Sequence, residues 1–244
     1  MTLVALAGGT GKLGRIIRTV VEQEPGFELH AVLTSRSDLS ELGGADLVID
    51  ATHPDASDGI VRAAIAQGSA LLVGTSGWSA ERIAAIRPLV DQAGTGAVFI
   101  PNFSLGSVIG SAVAAAAARF FPYAEIVEAH RDTKVDSPSG TAVRTAELIA
   151  ASRDEPVSAP YADQPARGQG VAGVPVHSLR RPGVVAHQQA ILSGPGETLS
   201  IVHDTSDPAA AYAPGIRLAL AGAVEARGVT VGLEHFLDLG FGAR

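Results

Sequence analysis

Three side chains that bind anions or carry protons lie within a short segment of the chain: His130, Arg131 and Lys134. An imidazole and an ammonium group can each donate or accept a proton, whereas a guanidinium group binds carboxylates without titrating. Residues 125–130 alternate between polar and apolar types, which predicts a half-buried strand. The three side chains are therefore expected at the end of a strand, where a ligand can reach them.

The residues that follow this strand predict the start of a helix. Pro138 interrupts the chain, Ser139 or Thr141 can cap a helix, and an alanine-rich run continues to Ala151. The first N–H groups of a helix lack partners within the helix, and its dipole places partial positive charge there. The segment 130–141 is thus expected to bind a carboxylate or phosphate beside groups that carry protons.

Lysine usage singles out one of these side chains. Of the 18 basic residues only Lys12 and Lys134 are lysines, and the others are arginines. An ammonium group can lose its proton near neutral pH when its surroundings lower its pKa, and a guanidinium group cannot. A chain this rich in arginine is expected to keep lysine where that difference matters, which favours a catalytic role for Lys134. The alternative for each lysine is an ordinary solvated surface position.

A glycine-rich segment follows the first apolar run of the chain. Residues 2–7 predict a buried parallel strand, and a helical pattern of apolar residues begins at Ile16. Glycines between a first strand and a first helix let the backbone approach the pyrophosphate of a dinucleotide. A Walker-type loop is not expected, because neither Ser nor Thr follows Lys12. We expect the cofactor-binding loop to consist of Gly8, Gly9, Thr10, Gly11, Lys12, Leu13 and Gly14.

The end of the second predicted strand, Leu29–Leu33, bears on the choice between NADH and NADPH. NAD-specific folds place Asp or Glu there to bind the ribose hydroxyls, whereas an arginine accommodates a 2′-phosphate. This chain has Thr34, Ser35 and Arg36 at that point, with Asp38 further on. The sequence thus favours NADPH; the alternatives are that NADH is used and that Arg36 is a solvated loop residue.

Strands and helices alternate through the first hundred residues. Predicted strands at 47–51, 70–73 and 97–100 are separated by predicted helices at 57–67 and 79–92. This order predicts a parallel α/β sheet, whose ligands bind beyond the carboxyl ends of the strands. The turns at those ends are 8–14, 52–55, 74–77 and 101–104, and the cofactor-binding residues expected in the last two are Gly74, Thr75, Ser76, Pro101, Asn102, Phe103 and Ser104.

The pattern changes after a predicted helix at 105–120. A strand at 124–130 and a helix at 139–152 precede a long loop, 155–173, and three strands then follow without helices between them. Such an order predicts a second, mostly antiparallel sheet with helices on one face. The three strands are predicted at 174–179, 184–192 and 198–203, with a hairpin turn at 194–196; a helix at 215–227 and residues 229–241 then return to the first sheet.

These patterns divide the chain into a dinucleotide-binding domain, 1–104 plus 215–244, and a second domain of α+β type, 105–214. A structureless loop of about nineteen residues is uncommon inside a compact domain. The segment 155–173 is therefore expected to be functional or to lie between subunits.

Charge and composition exclude several classes of protein. The net charge of −7 argues against general binding to nucleic acids or anionic membranes, and 46% hydrophobic residues permit a sizeable core. The chain has no cysteine, which excludes disulfides and thiolate metal sites, and its seven histidines show no metal-ligand spacing. Neither a secretion signal nor a membrane span is apparent, so we expect a soluble cytoplasmic protein.

Residues 125–142 resemble the signature of the 4-hydroxy-tetrahydrodipicolinate reductases, also called dihydrodipicolinate reductases, of the lysine and diaminopimelate pathway. That signature is Glu-x-x-Glu-x-His followed by Lys-x-Asp-x-Pro-Ser-Gly-Thr-Ala, which this chain has from Glu125 to Ala142. The long signature is specific, whereas a glycine loop alone is not. The resemblance extends over nearly the whole chain, because further segments are similar to family motifs at 8–14, 52–54, 74–77, 101–104, 185–187 and 196–199.

The resemblance implies a Rossmann-type domain, a second domain for substrate binding and assembly into a homotetramer, and reduction of a cyclic imine dicarboxylate by NADPH or NADH. By similarity, His130 is the proton donor or acceptor and Lys134 is the acid. Ser139, Gly140 and Thr141 would hold a carboxylate of the substrate. The implied reaction loses the 4-hydroxyl group as water and adds hydride at C4 of the resulting conjugated imine.

The chain departs from the family pattern at two positions. Arg131 stands where the family commonly has a second histidine, and Ser76 replaces the second threonine of a Gly-Thr-Thr-Gly segment. Serine keeps the hydroxyl group, and Arg131 can bind a carboxylate through two parallel hydrogen bonds. Arg131 is therefore expected to bind the substrate; the alternative is a changed substrate preference.

Two other functions fit parts of the pattern. The loop at 8–14 resembles that of atypical short-chain dehydrogenase relatives, which bind NADPH without turnover as a sensor does, but a sensor does not need the segment 130–141. A dehydrogenase of a related amino or imino dicarboxylate, such as aspartate dehydrogenase, is the closer alternative.

Overall fold

The computed structural model describes residues 1–240, which fold into two compact units. The first unit contains Met1–Phe103 and Tyr212–Leu237, and the second contains Ser104–Ala211 together with residues 238–240. The crossings between the units lie within three residues of the predicted domain boundaries, but residues 238–240 group with the second unit. Residues 241–244, which we expected in the first domain, lie outside the described residues.

The element order follows the predicted alternation in the first hundred residues. The strands are β1 (Thr2–Ala7), β2 (Phe27–Leu33), β3 (Leu47–Asp50), β4 (Ala70–Val73), β5 (Gly96–Phe99), β6 (Tyr123–His130), β7 (Gln169–Val171), β8 (Val174–Arg180), β9 (Ala186–Gly194), β10 (Glu197–Thr205) and β11 (Gly228–Val231). The α-helices are α1 (Lys12–Gln23), α2 (Pro54–Gln67), α3 (Ala80–Ala93), α4 (Leu105–Ala118), α5 (Gly140–Ala151) and α6 (Pro208–Glu225).

The first unit is built on a six-stranded parallel sheet in the order β11-β5-β4-β3-β1-β2. Strands β3 and β5 are buried along their whole lengths, as expected of parallel strands covered on both faces. The chain moves from β1 to β2 on one side and then to β3 on the other side of β1, so the strand order reverses between β1 and β3. Ligands of such sheets bind beyond the carboxyl ends of the strands at this reversal.

The second unit is built on a five-stranded sheet in the order β10-β9-β6-β8-β7. Strand β6 pairs in parallel with β8 and antiparallel with β9. Helices α4 and α5 pack on one face, where Ile126, Ile149 and Leu192 are completely buried in a common core. A six-stranded parallel sheet with flanking helices and a second sheet domain confirm the predicted fold class.

The second sheet is mostly antiparallel, as predicted, with β6 and β8 as its parallel pair. Two elements differ from the sequence prediction. The segment 155–173 is not structureless, because β7 and a 3-10 turn at Pro165–Arg167 occupy its second half. Helix α6 begins seven residues earlier than predicted and contains Pro214. None of the helices among residues 1–240 is long and apolar enough to cross a membrane.

Candidate active site

The predicted cofactor loop connects β1 to α1, and its glycines are required by close contacts. Gly8 has a φ of +82°, which disfavours any other residue there. A Cβ on Gly9 would come within 2.5 Å of the Val32 side chain, and one on Gly14 would overlap the carbonyl oxygen of Gly8. The loop therefore packs against itself and against β2 in a way that side chains would prevent.

The N-terminus of α1 offers hydrogen-bond donors to an anion. Gly11 occupies the N-cap position, and it has no side chain to bond the first N–H groups of α1. Thr10, Gly11 and Lys12 are exposed, so this end of the helix is accessible. An absent side-chain cap, an accessible backbone and a helix dipole fit the pyrophosphate of a dinucleotide.

The turn after β2 carries the residues expected to distinguish NADPH from NADH. Thr34, Ser35 and Arg36 are exposed, and the Arg36 N–H donates to the Thr34 hydroxyl (3.3 Å). Asp38 caps the next 3-10 turn and accepts from the Ser40 N–H (2.8 Å). Hydrogen bonds from Ser40 hold the pKa of Asp38 below its usual value. The carboxylate that follows β2 is thus engaged in capping, which leaves a guanidinium group at the strand end.

Two further turns of the first unit, 52–55 and 74–77, are joined by a buried carboxylate that the sequence analysis missed. Asp50, at the end of β3, is completely buried and accepts from the hydroxyls of Thr52 (2.5 Å) and Ser57. The Thr52 N–H in turn donates to the Thr75 hydroxyl (2.8 Å). The sequence feature that could have indicated this buried network is an Asp at the end of the otherwise apolar run 47–50. His53 caps α2 and takes no part in the network.

The turn after β5 leads out of the first unit. Phe103 is buried, and a Cβ on Gly74 would lie 2.8 Å from its ring. A Cβ on Gly74 would also lie 3.2 Å from Leu13, so three predicted cofactor segments meet around Gly74. Ser104 belongs to the second unit, where its hydroxyl caps α4 and lies 3.4 Å from Nε2 of His203.

The residues predicted to act on the substrate all lie in the second unit, at the end of β6 and the start of α5. His130 is the last residue of β6, and its Nδ1 lies 2.6 Å from Oε2 of Glu128. Arg180, on the neighbouring strand β8, donates from Nη2 and Nη1 to the two oxygens of Glu128 (2.9 and 3.1 Å). The register pairs His130 with Arg180 across these parallel strands, which brings all three side chains to one face.

Burial and charge act in opposite directions on this cluster. Burial raises the pKa of Glu128, but hydrogen bonds from Arg180 and His130 outweigh it and hold that pKa below its usual value. Burial lowers the pKa of His130, and Glu128 offsets this only in part. Glu128 is therefore a carboxylate, and His130 favours its neutral form.

Lys134 lies in the loop between β6 and α5. Its Nζ donates to both oxygens of Asp136 (2.8 Å each), and these contacts and the nearby charge of Lys134 lower the pKa of Asp136 despite burial, which raises it. The charge of Lys134 also lowers the pKa of His130, so the two predicted proton carriers interact. Arg131 is exposed, and its Nε donates to the Thr133 hydroxyl (3.1 Å).

The start of α5 is as predicted, and its first residues differ in their contacts and exposure. Ser139 is buried and caps the helix by accepting from the Ala142 N–H (3.3 Å). The Ser139 N–H donates to Oε1 of Glu128 (3.3 Å). Gly140 is exposed and Thr141 is half-buried, and these residues form the outer part of the first helical turn. Ser139 is thus engaged in holding the start of α5, whereas Gly140 is open to solvent.

Sequence reasoning missed Glu128 and Arg180. Glu128 was visible as a polar residue at an inward position of β6, two residues before His130. Arg180 lies 46 residues beyond Lys134, and only the pairing of β6 with β8 brings it to the site.

Comparisons with known proteins agree with this architecture. Residues 2–103 match the family described as dihydrodipicolinate reductase, N-terminus, and residues 106–237 match dihydrodipicolinate reductase, C-terminus. A 4-hydroxy-tetrahydrodipicolinate reductase of Clavibacter michiganensis is 52% identical over 98% of this chain and 87% of its own length. That of Streptomyces griseus is 42% identical over 97% of this chain and 98% of its own length.

Among solved structures, the dipicolinate-bound dihydrodipicolinate reductase from Paenisporosarcina sp. TG-14 superposes with a TM-score of 0.84 and 29% identity, covering 97% of this chain and all of that one. A probable dehydrogenase from Thermotoga maritima shares the fold alone, with a TM-score of 0.64 and 10% identity over 96% of this chain and 92% of that one. Since both family halves and relatives at 42–52% identity match nearly the whole chain, this chain belongs to the dihydrodipicolinate reductase family.

Proposed function

We propose that this chain reduces 4-hydroxy-tetrahydrodipicolinate to tetrahydrodipicolinate with loss of water, in lysine and diaminopimelate biosynthesis. The main support for this proposal is that His130, Lys134 and the first turn of α5 lie together in one short segment of the second unit. A dicarboxylate needs cationic and N–H donors, and its reduction needs a proton source beside them. The dipicolinate bound to the Paenisporosarcina reductase is a small dicarboxylate of this kind.

The residues of the segment divide the work of binding and proton transfer. The N–H groups of the turn beginning at Gly140 bind one carboxylate, with Ser139 holding the turn in place. Lys134 and the exposed Arg131 supply positive charge for the substrate, and Arg131 can bind a carboxylate bidentately. His130 or Lys134 provides the proton to the developing enamine.

The first unit binds the reduced nicotinamide cofactor, which supplies the hydride. The loop from Gly8 to Gly14 would hold its pyrophosphate, because the missing side chains and the open N-terminus of α1 fit an anion. We assign NADPH as the preferred cofactor, because Arg36 follows β2 and Asp38 is engaged as a cap. The remaining cofactor contacts of the first unit are assigned to Thr34, Ser35, Gly74, Thr75, Ser76, Pro101, Asn102 and Phe103, whereas Ser104 caps α4 in the second unit.

The open face of the second sheet supports assembly into a homotetramer. Helices α4 and α5 cover one face of the sheet, and strand alternation directs Val127, Leu179 and Val202 to the other. Leu179 and Val202 are 51% and 53% exposed. Apolar side chains on an uncovered sheet face mark an interaction surface, for which a second copy of this chain is the simplest partner. We place the enzyme in the cytoplasm, where a cysteine-free chain that uses reduced nicotinamide fits.

A coupled assay tests the proposal. The unstable substrate is generated enzymatically in the cuvette, and oxidation of NADPH or NADH is followed by the loss of absorbance. We expect turnover with both cofactors and a lower KM for NADPH. Absence of turnover, together with oxidation of L-aspartate in the presence of the oxidised cofactor, would instead identify an aspartate dehydrogenase. Cofactor binding without turnover on either substrate would identify a sensor.

A further inference from the structure

Glu128 is an ionised side chain at a completely buried position. Burial of a carboxylate is unfavourable unless charged or N–H partners compensate it. The partners here are the Arg180 guanidinium group, the His130 imidazole and the Ser139 N–H. With this many hydrogen bonds, Glu128 restricts the orientation of each partner. One of these partners, His130, is a predicted proton carrier.

The protonation of Glu128 determines which nitrogen of His130 carries hydrogen. Glu128 accepts two hydrogen bonds from a guanidinium group that does not titrate, so it stays ionised and can only accept. Nδ1 of His130, 2.6 Å from Oε2, must therefore be the donor. In the neutral imidazole this leaves Nε2 with its lone pair, free of competition from Glu128.

Glu128 also fixes the residues that surround the imidazole. It accepts from the Ser139 N–H, which holds the start of α5 against β6. Its partner Arg180 donates to the carbonyl oxygen of Asp136 (2.6 Å), within the loop that carries Lys134. The single carboxylate is thus connected to the loop at both Asp136 and Ser139.

We infer that Glu128 is the positioning residue of the reductase site: it keeps His130 in the tautomer with hydrogen on Nδ1 and holds the start of α5 beside that imidazole. The inference rests on the proposed function for the identity of the substrate. The tautomer itself is a property of the protein without substrate. Glu128 acts through His130 and need not touch the reacting atoms.

The same strand provides a matched control. Glu125 likewise binds an arginine and a histidine, with Arg167 Nη2 2.5 Å and His177 Nε2 2.8 Å from its two oxygens. Its side chain points to the opposite face of the sheet, away from His130, because successive residues of β6 alternate. Glu125→Gln removes a charge from an equivalent cluster on the same strand without altering the predicted site. Because Glu125 lies on the sheet face proposed for assembly, the oligomer size of this variant is compared with that of the wild type.

The kinetic test compares Glu128→Gln, Glu125→Gln, His130→Gln and the double variant of residues 128 and 130. Glu128→Gln should lower kcat about 10²-fold or more, with little change in KM for NADPH, whereas Glu125→Gln should leave kcat unchanged. Because Glu128 acts on proton transfer through His130, the double variant should lose no more kcat than His130→Gln alone, and any loss through the start of α5 should appear in KM for the substrate.

The pH dependence provides a readout that a purely structural role would not change. In Glu128→Gln the carboxylate that raises the pKa of His130 is gone, while burial and the charges of Lys134 and Arg180 still lower it. The limb of the kcat profile that depends on His130 should therefore move to lower pH. Glu125→Gln should leave this limb in place.

An NMR measurement separates this inference from the proposed function, since it needs no turnover. Histidine labelled with ¹⁵N in the ring, assigned by comparison with His130→Gln, should show hydrogen on Nδ1 of His130 in the wild-type protein. Hydrogen on Nε2 would overturn the inference even if Glu128→Gln does not fold. Additive losses of kcat in the double variant, or an equal loss of kcat in Glu125→Gln, would also overturn it.

Discussion

His130 and Lys134 are held with different strength, which suits different tasks. His130 is bonded to a completely buried carboxylate, whereas Asp136, the partner of Lys134, is 60% exposed. Contact of Asp136 with water weakens its attraction for Lys134, so Lys134 can exchange Asp136 for a substrate carboxylate more readily than His130 can leave Glu128. We therefore expect Lys134 to follow the substrate and His130 to stay in place.

Replacing Lys134 tests its role as the acid. Lys134→Ala should lower kcat by about 10²–10⁴-fold, because general acid catalysis and one positive charge are lost. The dissociation constant of NADPH should not change, since the residues proposed to bind its phosphates lie in the first unit. Steady-state kinetics and fluorescence titration of NADPH measure the two quantities.

The companion variant Lys134→Arg separates charge from proton transfer. A guanidinium group keeps the positive charge but does not give up its proton near neutral pH. KM for the substrate should stay within a few-fold of the wild-type value while kcat remains low. A kcat of Lys134→Arg close to that of the wild type would mean that Lys134 binds the substrate but does not donate the proton.

Arg36 tests the preference for NADPH. A hydrogen bond to a charged group contributes about 1.5–3 kcal/mol, so Arg36→Ala should raise KM for NADPH by roughly 10–100-fold and leave KM for NADH unchanged. Arg62→Ala serves as the control, because Arg62 is an exposed arginine of the same unit that pairs with Asp58. An equal effect of Arg36→Ala on both cofactors would argue against a contact with the 2′-phosphate.

The sequence was informative about residues whose chemistry depends on local order. His130 ends a strand, Ser139 caps a helix and Lys134 lies in the loop between them, and all three positions can be predicted from one short segment. Glu128 and Arg180 were missed because their roles depend on the pairing of β6 with β8, across about fifty residues. Asp50 was missed although its partners Thr52 and Ser57 lie within seven residues, because the sequence does not show that this strand end is completely buried.

At the scale of single helices, two glycines show how packing decides which residue a helix position tolerates. Alanine is favoured over glycine inside a helix by about 1 kcal/mol. Gly59 in α2 has nothing within 4 Å of an added Cβ, so Gly59→Ala should raise the free energy of unfolding by about that amount. Gly14→Ala in α1 should do the opposite, because its Cβ would overlap Gly8, and it should also weaken NADPH binding.

Thermal unfolding of both variants, with and without NADPH, measures these effects. We expect Gly59→Ala to melt above the wild type with an unchanged shift on adding NADPH. Gly14→Ala should melt below it with a smaller shift. A stabilised Gly14→Ala variant that binds NADPH normally would contradict the close packing of this loop.

Most elements were predictable because their hydrophobic periodicity and their caps agree. Ser79, Ser104 and Ser139 each cap the helix that follows, a position that serine favours. Strand β7 was not predictable, because Gln169-Gly-Val171 has no alternation to read and forms by pairing with β8. The first residues of α6 were missed because a proline such as Pro214 usually indicates a helix boundary, whereas this helix continues through it.

At the scale of the whole molecule, the open sheet face of the second unit predicts the oligomer. Replacing Leu179 and Val202 with arginine puts charges on this face, and burying them between subunits would be unfavourable. The double variant should therefore form smaller species than the wild type in light scattering coupled to size exclusion. Leu39→Arg, at a partly exposed leucine of the first unit, should leave the size unchanged.

An unchanged oligomer in the double variant would mean that the subunits meet through another surface. A wild-type protein that runs as a monomer would contradict the homotetramer directly. Apart from the family resemblance, no sequence pattern indicated this surface. In the structure, the register of β8 and β10 determines which of their alternating residues face the helices and which face the open side of the sheet.

The position of β11 in the first sheet affects how the chain folds during its translation. Its partner β5 ends at Phe99, but β11 begins only at Gly228, after the whole second unit. A nascent chain emerging from the ribosome therefore exposes the edge of β5 throughout translation of the intervening residues. Exposed strand edges promote misassembly between chains, and loop closure over such a distance slows pairing. The growing polypeptide thus depends on its last strand to close the sheet that receives the nucleotide.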